Sequence, residues 1–388
     1  MRVFLIVLDG VGIGALPDAA AYGDEGSHTL LHVAESVGGL RLPRLERLGL
    51  GRLLALPGVR AVADPRGARG RLAARSPGKD STTGHWELAG LILDRPFPTY
   101  PGGFPRRLLD EFSRSVGRGW IGNETASGTE IIQRLGAEHQ RTGSLIVYTS
   151  ADSVFQIAAH ERTVPLEQLY AACRTARGIL SGEDAVGRVI ARPFVGEPGD
   201  YRRTANRRDF SLPPPERTLL DRLVEAGHPV VTVGKVDDLF AGRGVSEALH
   251  TASNAEGEEM LAGLARRGGP GLVFANLVDF DQQYGHRNDP VGFARALEQF
   301  DERLDEILAH LRSDDLCLLT ADHGNDPTMP STDHSREYTP LLAAGPRVRA
   351  GADVGTRETF ADVGATLAQA FGVVRPPAGT SFLGEIGT

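Results

Sequence analysis

Six short apolar runs, each bounded by Gly, Asp or His, leave this chain few architectures. They span 3–8, 144–149, 188–191, 230–233, 272–278 and 316–320. Helical patterns lie between some of them. In 291–311, Phe293, Leu297, Phe300, Leu304, Ile307, Leu308 and Leu311 recur at helical spacing, and Asp289-Pro290 supplies a start signal. Buried runs alternating with helices predict an α/β fold with a mostly parallel sheet and helices on both faces. In such a sheet, ligands gather beyond the carboxyl ends of the strands.

Two proline clusters punctuate the chain. Pro96, Pro98, Pro101 and Pro105 form one, and Pro213-Pro214-Pro215 the other. The segment between them has its own strand and helix patterns. The expected division is a core of 1–99 and 216–388, with residues 100–215 inserted as a smaller α/β domain on stiff hinges.

Charge and cysteine content exclude several classes. The net charge is −8, which argues against non-specific binding to nucleic acid or anionic membranes. The two cysteines, Cys173 and Cys317, have no metal-ligand spacing and imply no disulfide framework, which favours a reducing cytoplasm. The apolar run after Met1-Arg2 ends at Asp9, short of a secretory core, and no stretch reaches membrane-span length. A soluble, cytoplasmic protein is expected, with no protein partner implied.

Chemistry-bearing side chains cluster at the strand ends. Asp9 ends the first run, and Asp279-Phe280-Asp281 with Gly285-His286 follow the fifth. Asp322-His323-Gly324 follow the sixth, and Asp333-His334 come shortly after. Together these carboxylates and imidazoles suffice for two divalent cations, and mixed ligands of this kind suit Mn²⁺ or Zn²⁺ better than Mg²⁺ or Ca²⁺. A metal pair about 4 Å apart serves phosphoryl transfer. Gly324 is expected to let the chain turn so that Asp322 and His323 reach one metal.

A hydroxyl nucleophile is available in Gly78-Lys79-Asp80-Ser81-Thr82-Thr83-Gly84-His85-Trp86-Glu87. The flanking glycines allow a tight turn, and a helix starting there, with Thr83 as its expected cap, would direct amides at a phosphate. Metal coordination would activate such a hydroxyl. Lysine usage points the same way. Only Lys79 and Lys235 interrupt a chain whose other 40 basic residues are arginine. Lys79 adjoins the hydroxyl run and Lys235 follows an apolar strand, both positions where a compact charge is not interchangeable with a planar fork.

The strings Gly78–Glu87 and Thr320–Pro327, the Asp279-Phe280-Asp281 to His286 run and the Asp333-His334 pair resemble the phosphopentomutase family of the alkaline phosphatase superfamily. The resemblance extends over the whole chain and includes Gly128-Thr129-Glu130, Ser144–Asp152, Gly187–Gly199 and Thr380-Ser381-Phe382. It implies an alkaline-phosphatase-like core with an inserted cap domain. It implies one Mn²⁺ on Asp9, Asp322 and His323, and a second on Asp281, His286 and His334. The family's phosphorylated threonine matches Ser81 here, with Thr82 as the alternative nucleophile. Asp152 is implied in contacts to the sugar hydroxyls, and Arg192, Arg203, Arg207 and Lys235 in contacts to phosphate. The implied reaction interconverts ribose 1-phosphate and ribose 5-phosphate, and their 2-deoxy equivalents, with a sugar bisphosphate such as glucose 1,6-bisphosphate as activator.

Overall fold

The N-terminal apolar run forms the strand Arg2–Leu8, buried along its whole length. In this computed structural model, which describes every residue except Ala151 and Thr388, that strand lies inside an eight-stranded sheet. Gly271–Leu277 and Leu316–Thr320 flank it in parallel, with Leu8 beside Leu277 and Val7 beside Thr320. Val230–Val233 and Glu247–Leu249 continue the parallel array on one side. On the other, Thr339–Ala344 runs antiparallel to both Leu316–Thr320 and Ala68–Leu72, and Asp353–Arg357 ends the sheet parallel to Ala68–Leu72. The central parallel register brings Asp9, Asp281 and Asp322 out at one carboxyl edge.

Alternation along each strand directs side chains to two helical layers. Phe4, Ile6 and Leu8, with Val273, Ala275 and Leu277, share a core with Val33, Leu297, Phe300 and Leu304. These come from the helices Thr29–Ser36 and Pro290–Leu308. Phe274, out of step by one residue, meets the opposite layer: its ring lies 5.5 Å from His85 and 6.1 Å from Phe240. Pro290–Leu308 starts where its sequence signal places it, with the Asp289 side chain accepting from the Gly292 amide.

This sheet belongs to a compact unit of Met1–Arg95 with Pro214–Thr388; the second unit is Pro96–Pro213. Within the second, Trp120–Thr125, Leu145–Thr149, Val154–His160, Arg188–Val195 and Arg202–Arg203 lie side by side, and Arg208–Ser211 pairs with Arg188–Val195. The pairing is mixed: Leu145–Thr149 is antiparallel to Val154–His160, which is parallel to Arg188–Val195. Helices Arg106–Val116 and Leu166–Ile179 cover one face, packing on Val147, Phe155 and Ile157. Gly128–Thr142 covers the other, packing on Ile146, Tyr148 and Phe194.

Both cysteines are buried and free. Burial pushes the Cys317 thiol up to about 12, as suits an inert core residue. Among the described residues no helix is long and apolar enough to cross a membrane.

Candidate metal centre and nucleophile

Asp9 follows its strand directly, its amide donating to the Leu277 carbonyl at 3.2 Å. Asp281 lies in the short helix Phe280–Tyr284 beyond the neighbouring strand. Ligand atoms of Asp9, Asp281 and His323 lie within 4.8 Å of one another, and so do those of Asp281, His286 and His334. Asp281 therefore belongs to both clusters. The resemblance grouped Asp322, not Asp281, with Asp9 and His323. Asp322 stands beside that cluster, its Oδ2 3.5 Å from His323 Nε2. The expected ligands thus meet in one place.

The ring nitrogens are oriented for ligation. His323 Nδ1 lies 3.0 Å from the Gly324 carbonyl, to which it can only donate, so Nε2 carries the lone pair. Nε2 faces Asp9 Oδ1 at 3.3 Å. His286 Nδ1 donates likewise to the Thr332 carbonyl at 2.6 Å, turning Nε2 toward Asp281 Oδ2 at 3.1 Å. His334 Nε2 lies 3.4 Å from Asp281 Oδ1. These backbone acceptors fix tautomer and ring direction, as the outer partners of metal-bound histidines do.

Two buried oxygens test the fit of a cation. Asp9 Oδ2 accepts from Asn276 Nδ2 at 3.0 Å and Asp322 Oδ1 from the Gly10 amide at 3.2 Å. The other oxygen of each, Asp9 Oδ1 and Asp322 Oδ2, is buried without a hydrogen-bond partner. His85 Nδ1 is 3.1 Å from Asp322 Oδ2 but donates to the Ser81 carbonyl at 2.9 Å. Unpaired buried carboxylate oxygens are costly, and a divalent cation among them removes the cost. Burial, with the charges of Asp322 and Asp281, pushes Asp9 up to about 7. Asp281 is drawn well below the usual carboxylate range: burial opposes this, and His334 and His286 outweigh it.

Ser81 opens the helix Ser81–Leu88, and its Oγ lies 3.1 Å from His323 Nε2. The helix cap is Asp80, not the expected Thr83. Asp80 accepts from the Thr83 amide at 3.0 Å and from its hydroxyl at 2.6 Å. A carboxylate before the first turn accepts from exposed amides more strongly than a hydroxyl inside it. Thr82 is buried, and the hydroxyl that meets His323 belongs to Ser81. Gly84 lets the helix approach closely: a Cβ there would lie 2.3 Å from the Asp322 carbonyl oxygen. Gly324 serves by its size instead of by a left-handed turn, since a Cβ would lie 2.6 Å from the Glu337 carboxyl.

Lys235 Nζ donates to Gln282 Oε1 at 2.5 Å, next to Asp281, and its charge acts on Asp9. Asp333 stays outside the two clusters and pairs with Lys79 at 3.2 Å. The remaining expected residues gather within the second unit. Arg192 Nε donates to Gln156 at 3.1 Å, and Arg207 holds Asp209 through two 2.8 Å bonds. Burial, then the Arg207 charge, lowers the Arg192 guanidinium to about 10. Arg192, Arg203 and Arg207 all act on the Tyr148 phenol, whose buried oxygen has no hydrogen-bond partner. Asp152 stands 3.8 Å from Arg188.

The sequence reading gave no role to several supporting residues. Asn276 Nδ2 reaches both Asp9 and His85 Nε2, the latter at 3.2 Å. Asn325 Nδ2 donates to Asp281 Oδ1 at 2.6 Å. An amide inside a buried apolar strand was the available signal for Asn276; for Asn325 there was none beyond its neighbours.

Comparison with known proteins agrees with this geometry. The family model described as the Metalloenzyme superfamily matches residues 1–375. The chain is 60% identical over 386 residues to a phosphopentomutase of Anaeromyxobacter sp. strain K, covering 99% of each. It is 57% identical over 385 residues to one of Carboxydothermus hydrogenoformans, again covering 99% of each. Among solved structures, a Leishmania mexicana phosphoglycerate mutase aligns with a TM-score of 0.52 at 16% identity, over 98% of this chain and 96% of that one. That likeness speaks for the fold alone. Identity of this degree over the full length, on a fold that gathers aspartates and histidines around a hydroxyl, places the chain in the phosphopentomutase family of the metalloenzyme superfamily, as an isomerase of the phosphotransferase-mutase type.

Proposed function

We propose that this enzyme interconverts α-D-ribose 1-phosphate and D-ribose 5-phosphate, and the 2-deoxyribose equivalents, through phosphorylated Ser81. The observation that carries the reading is Ser81 Oγ, 3.1 Å from His323 Nε2 at the edge of the clusters that share Asp281. Asp9, Asp281, His286, Asp322, His323 and His334 would hold two Mn²⁺ ions. When bound, these would lower the pKa of the serine hydroxyl and neutralise phosphate oxygens.

Phospho-Ser81 gives its phosphoryl group to the free hydroxyl of the sugar monophosphate. The Ser81 O–P bond breaks, the sugar O–P bond forms, and the proton lost by the sugar hydroxyl is balanced by one gained at the Ser81 oxygen. The product is a 1,5-bisphosphate. Ser81 then accepts the other phosphoryl group, which restores the phosphoenzyme and leaves the isomeric monophosphate. A sugar bisphosphate such as glucose 1,6-bisphosphate primes the cycle by phosphorylating Ser81. Residues 100–215 act as the cap domain, keeping water from the phosphoserine. Lys235, Arg192, Arg203 and Arg207 are candidates for phosphate contact, and Asp152 for contact with the sugar hydroxyls. The reaction would join nucleoside breakdown to pentose metabolism in the cytoplasm.

Phosphorus NMR with Mn²⁺, ribose 5-phosphate and a trace of sugar bisphosphate tests this. The expected outcome is a ribose 1-phosphate signal rising to a stable ratio without inorganic phosphate. The Ser81→Ala protein should bind Mn²⁺ normally and lose at least about 1,000-fold in turnover. Steady phosphate release by the parent would mark a hydrolase and overturn the reading.

A further inference from the structure

Residues 73–80 join the strand Ala68–Leu72 to the helix Ser81–Leu88 without regular structure. Such a connection would ordinarily leave the position of Ser81 loose, because its backbone groups have no ladder to join. Here two buried charged side chains hold it. Glu87 accepts from the amides of Arg75 at 2.8 Å and Ser76 at 2.7 Å. Arg336 takes the carbonyls. Its Nη1 donates to Ser76 at 2.8 Å and Gly78 at 2.6 Å, and its Nη2 to Ala74 at 3.0 Å.

The guanidinium is fully engaged. Its remaining donors go to the Asp18 carboxylate, Nε at 3.2 Å and Nη2 at 3.0 Å. All five N–H groups of arginine therefore have partners, and a lysine, with three donors at one point, could not reproduce the set. Arg336 is 4% exposed and lies 5.1 Å from the Tyr22 ring centroid. The Tyr22 hydroxyl in turn accepts from the Gly78 amide at 3.2 Å.

The segment that carries this arginine also belongs to the metal cluster. His334 lies two positions before it. Ser335 pairs with Gly324 through backbone bonds of 2.7 and 3.0 Å, fixing the turn just after His323. Three consecutive residues thus bring a candidate ligand, a brace for a second ligand and the clamp on the nucleophile strap. Arg336 thus ties the strap that precedes Ser81 to the segment that carries a candidate ligand.

We infer that Arg336 is a positioning residue for Ser81, setting its Oγ against the metal cluster by gripping the carbonyls of 74, 76 and 78. The inference rests on Ser81 being the nucleophile.

The test compares Arg336→Lys, Arg336→Ala and Ser81→Ala with the parent, measuring unfolding, Mn²⁺ affinity, kcat and KM for ribose 5-phosphate. Arg336→Lys should fold and bind Mn²⁺ like the parent, with kcat down about 100-fold and KM within about threefold. Guanidinium chloride at a non-denaturing concentration should raise kcat of Arg336→Ala about tenfold, where equal sodium chloride does not. The inference is overturned if Arg336→Lys keeps the parent kcat. It is overturned equally if its loss follows a parallel loss of Mn²⁺ affinity, or if the lysine variant does not fold, since Arg336 would then hold the structure alone. Parent-like turnover by Ser81→Ala would remove the nucleophile assignment instead, and is read separately.

Discussion

Asn276 is an amide in a strand that is otherwise apolar, 1% exposed, and its partners Asp9 and His85 lie far away in sequence. The sequence exposes the anomaly and hides the reason, because the contacts form only when three distant segments pack. Glu258 is a similar case. It is 2% exposed on the helix Asn254–Arg267, with Gln299 Nε2 at 3.4 Å. Burial, outweighing Gln299 and Arg303, pushes its carboxyl from 4.5 up to about 7. The folded chain therefore holds this proton more tightly than the unfolded chain. The resulting stability is whole below about 4.5 and is lost as the pH rises through about 7. Glu258→Gln should melt about 2 °C or more above the parent at pH 8, with the gap closing toward pH 5. A gap that is constant with pH in thermal unfolding would show that ionisation is not the cause.

The helix Ser81–Leu88 shows how an element serves two demands at once. Its first turn presents Ser81, and its middle must pass the turn that carries Asp322. Gly84 permits the approach, at the expense of helix propensity. Gly84→Ala should destabilise the protein by about 1–3 kcal/mol and depress turnover, because the added methyl displaces the Asp322 backbone. Gly263, in Asn254–Arg267, has only the Arg266 guanidinium near the position a Cβ would take, at 4.0 Å. Gly263→Ala should instead stabilise by about 0.5–1 kcal/mol. Urea unfolding of the two variants decides between steric contact and propensity as the reason for each glycine. Elements differed in how plainly they could be read. Pro290–Leu308 announces itself by period and cap. Val154–His160 does not, because Gln156 and His160 interrupt its apolar run although both are buried.

At the scale of the molecule, six ionisable candidate ligands and a hydroxyl converge from segments spread over most of the chain. Packed carboxylates repel one another without a counter-ion, so a bound cation should contribute to stability as well as to catalysis. Chelation is expected to lower the melting temperature by several degrees, and added Mn²⁺ should restore it in a concentration-dependent way. An unchanged melting temperature would mean that the clusters bind no ion tightly. The amino-acid sequence alone determined the α/β class, through continuous apolar runs separated by helical periods. It also determined the chemistry on offer, because acidic and imidazole side chains sit where strands end. Tertiary structure alone decided which oxygen faces which nitrogen. It drew Asp281 into both clusters, set Asp322 beside His85 and enlisted Arg336 to hold the strap. The physical reason is that strand identity is a local property of the chain. The direction of a carboxylate or a guanidinium is set by partners hundreds of residues away, whose positions exist only after the sheet has closed its register.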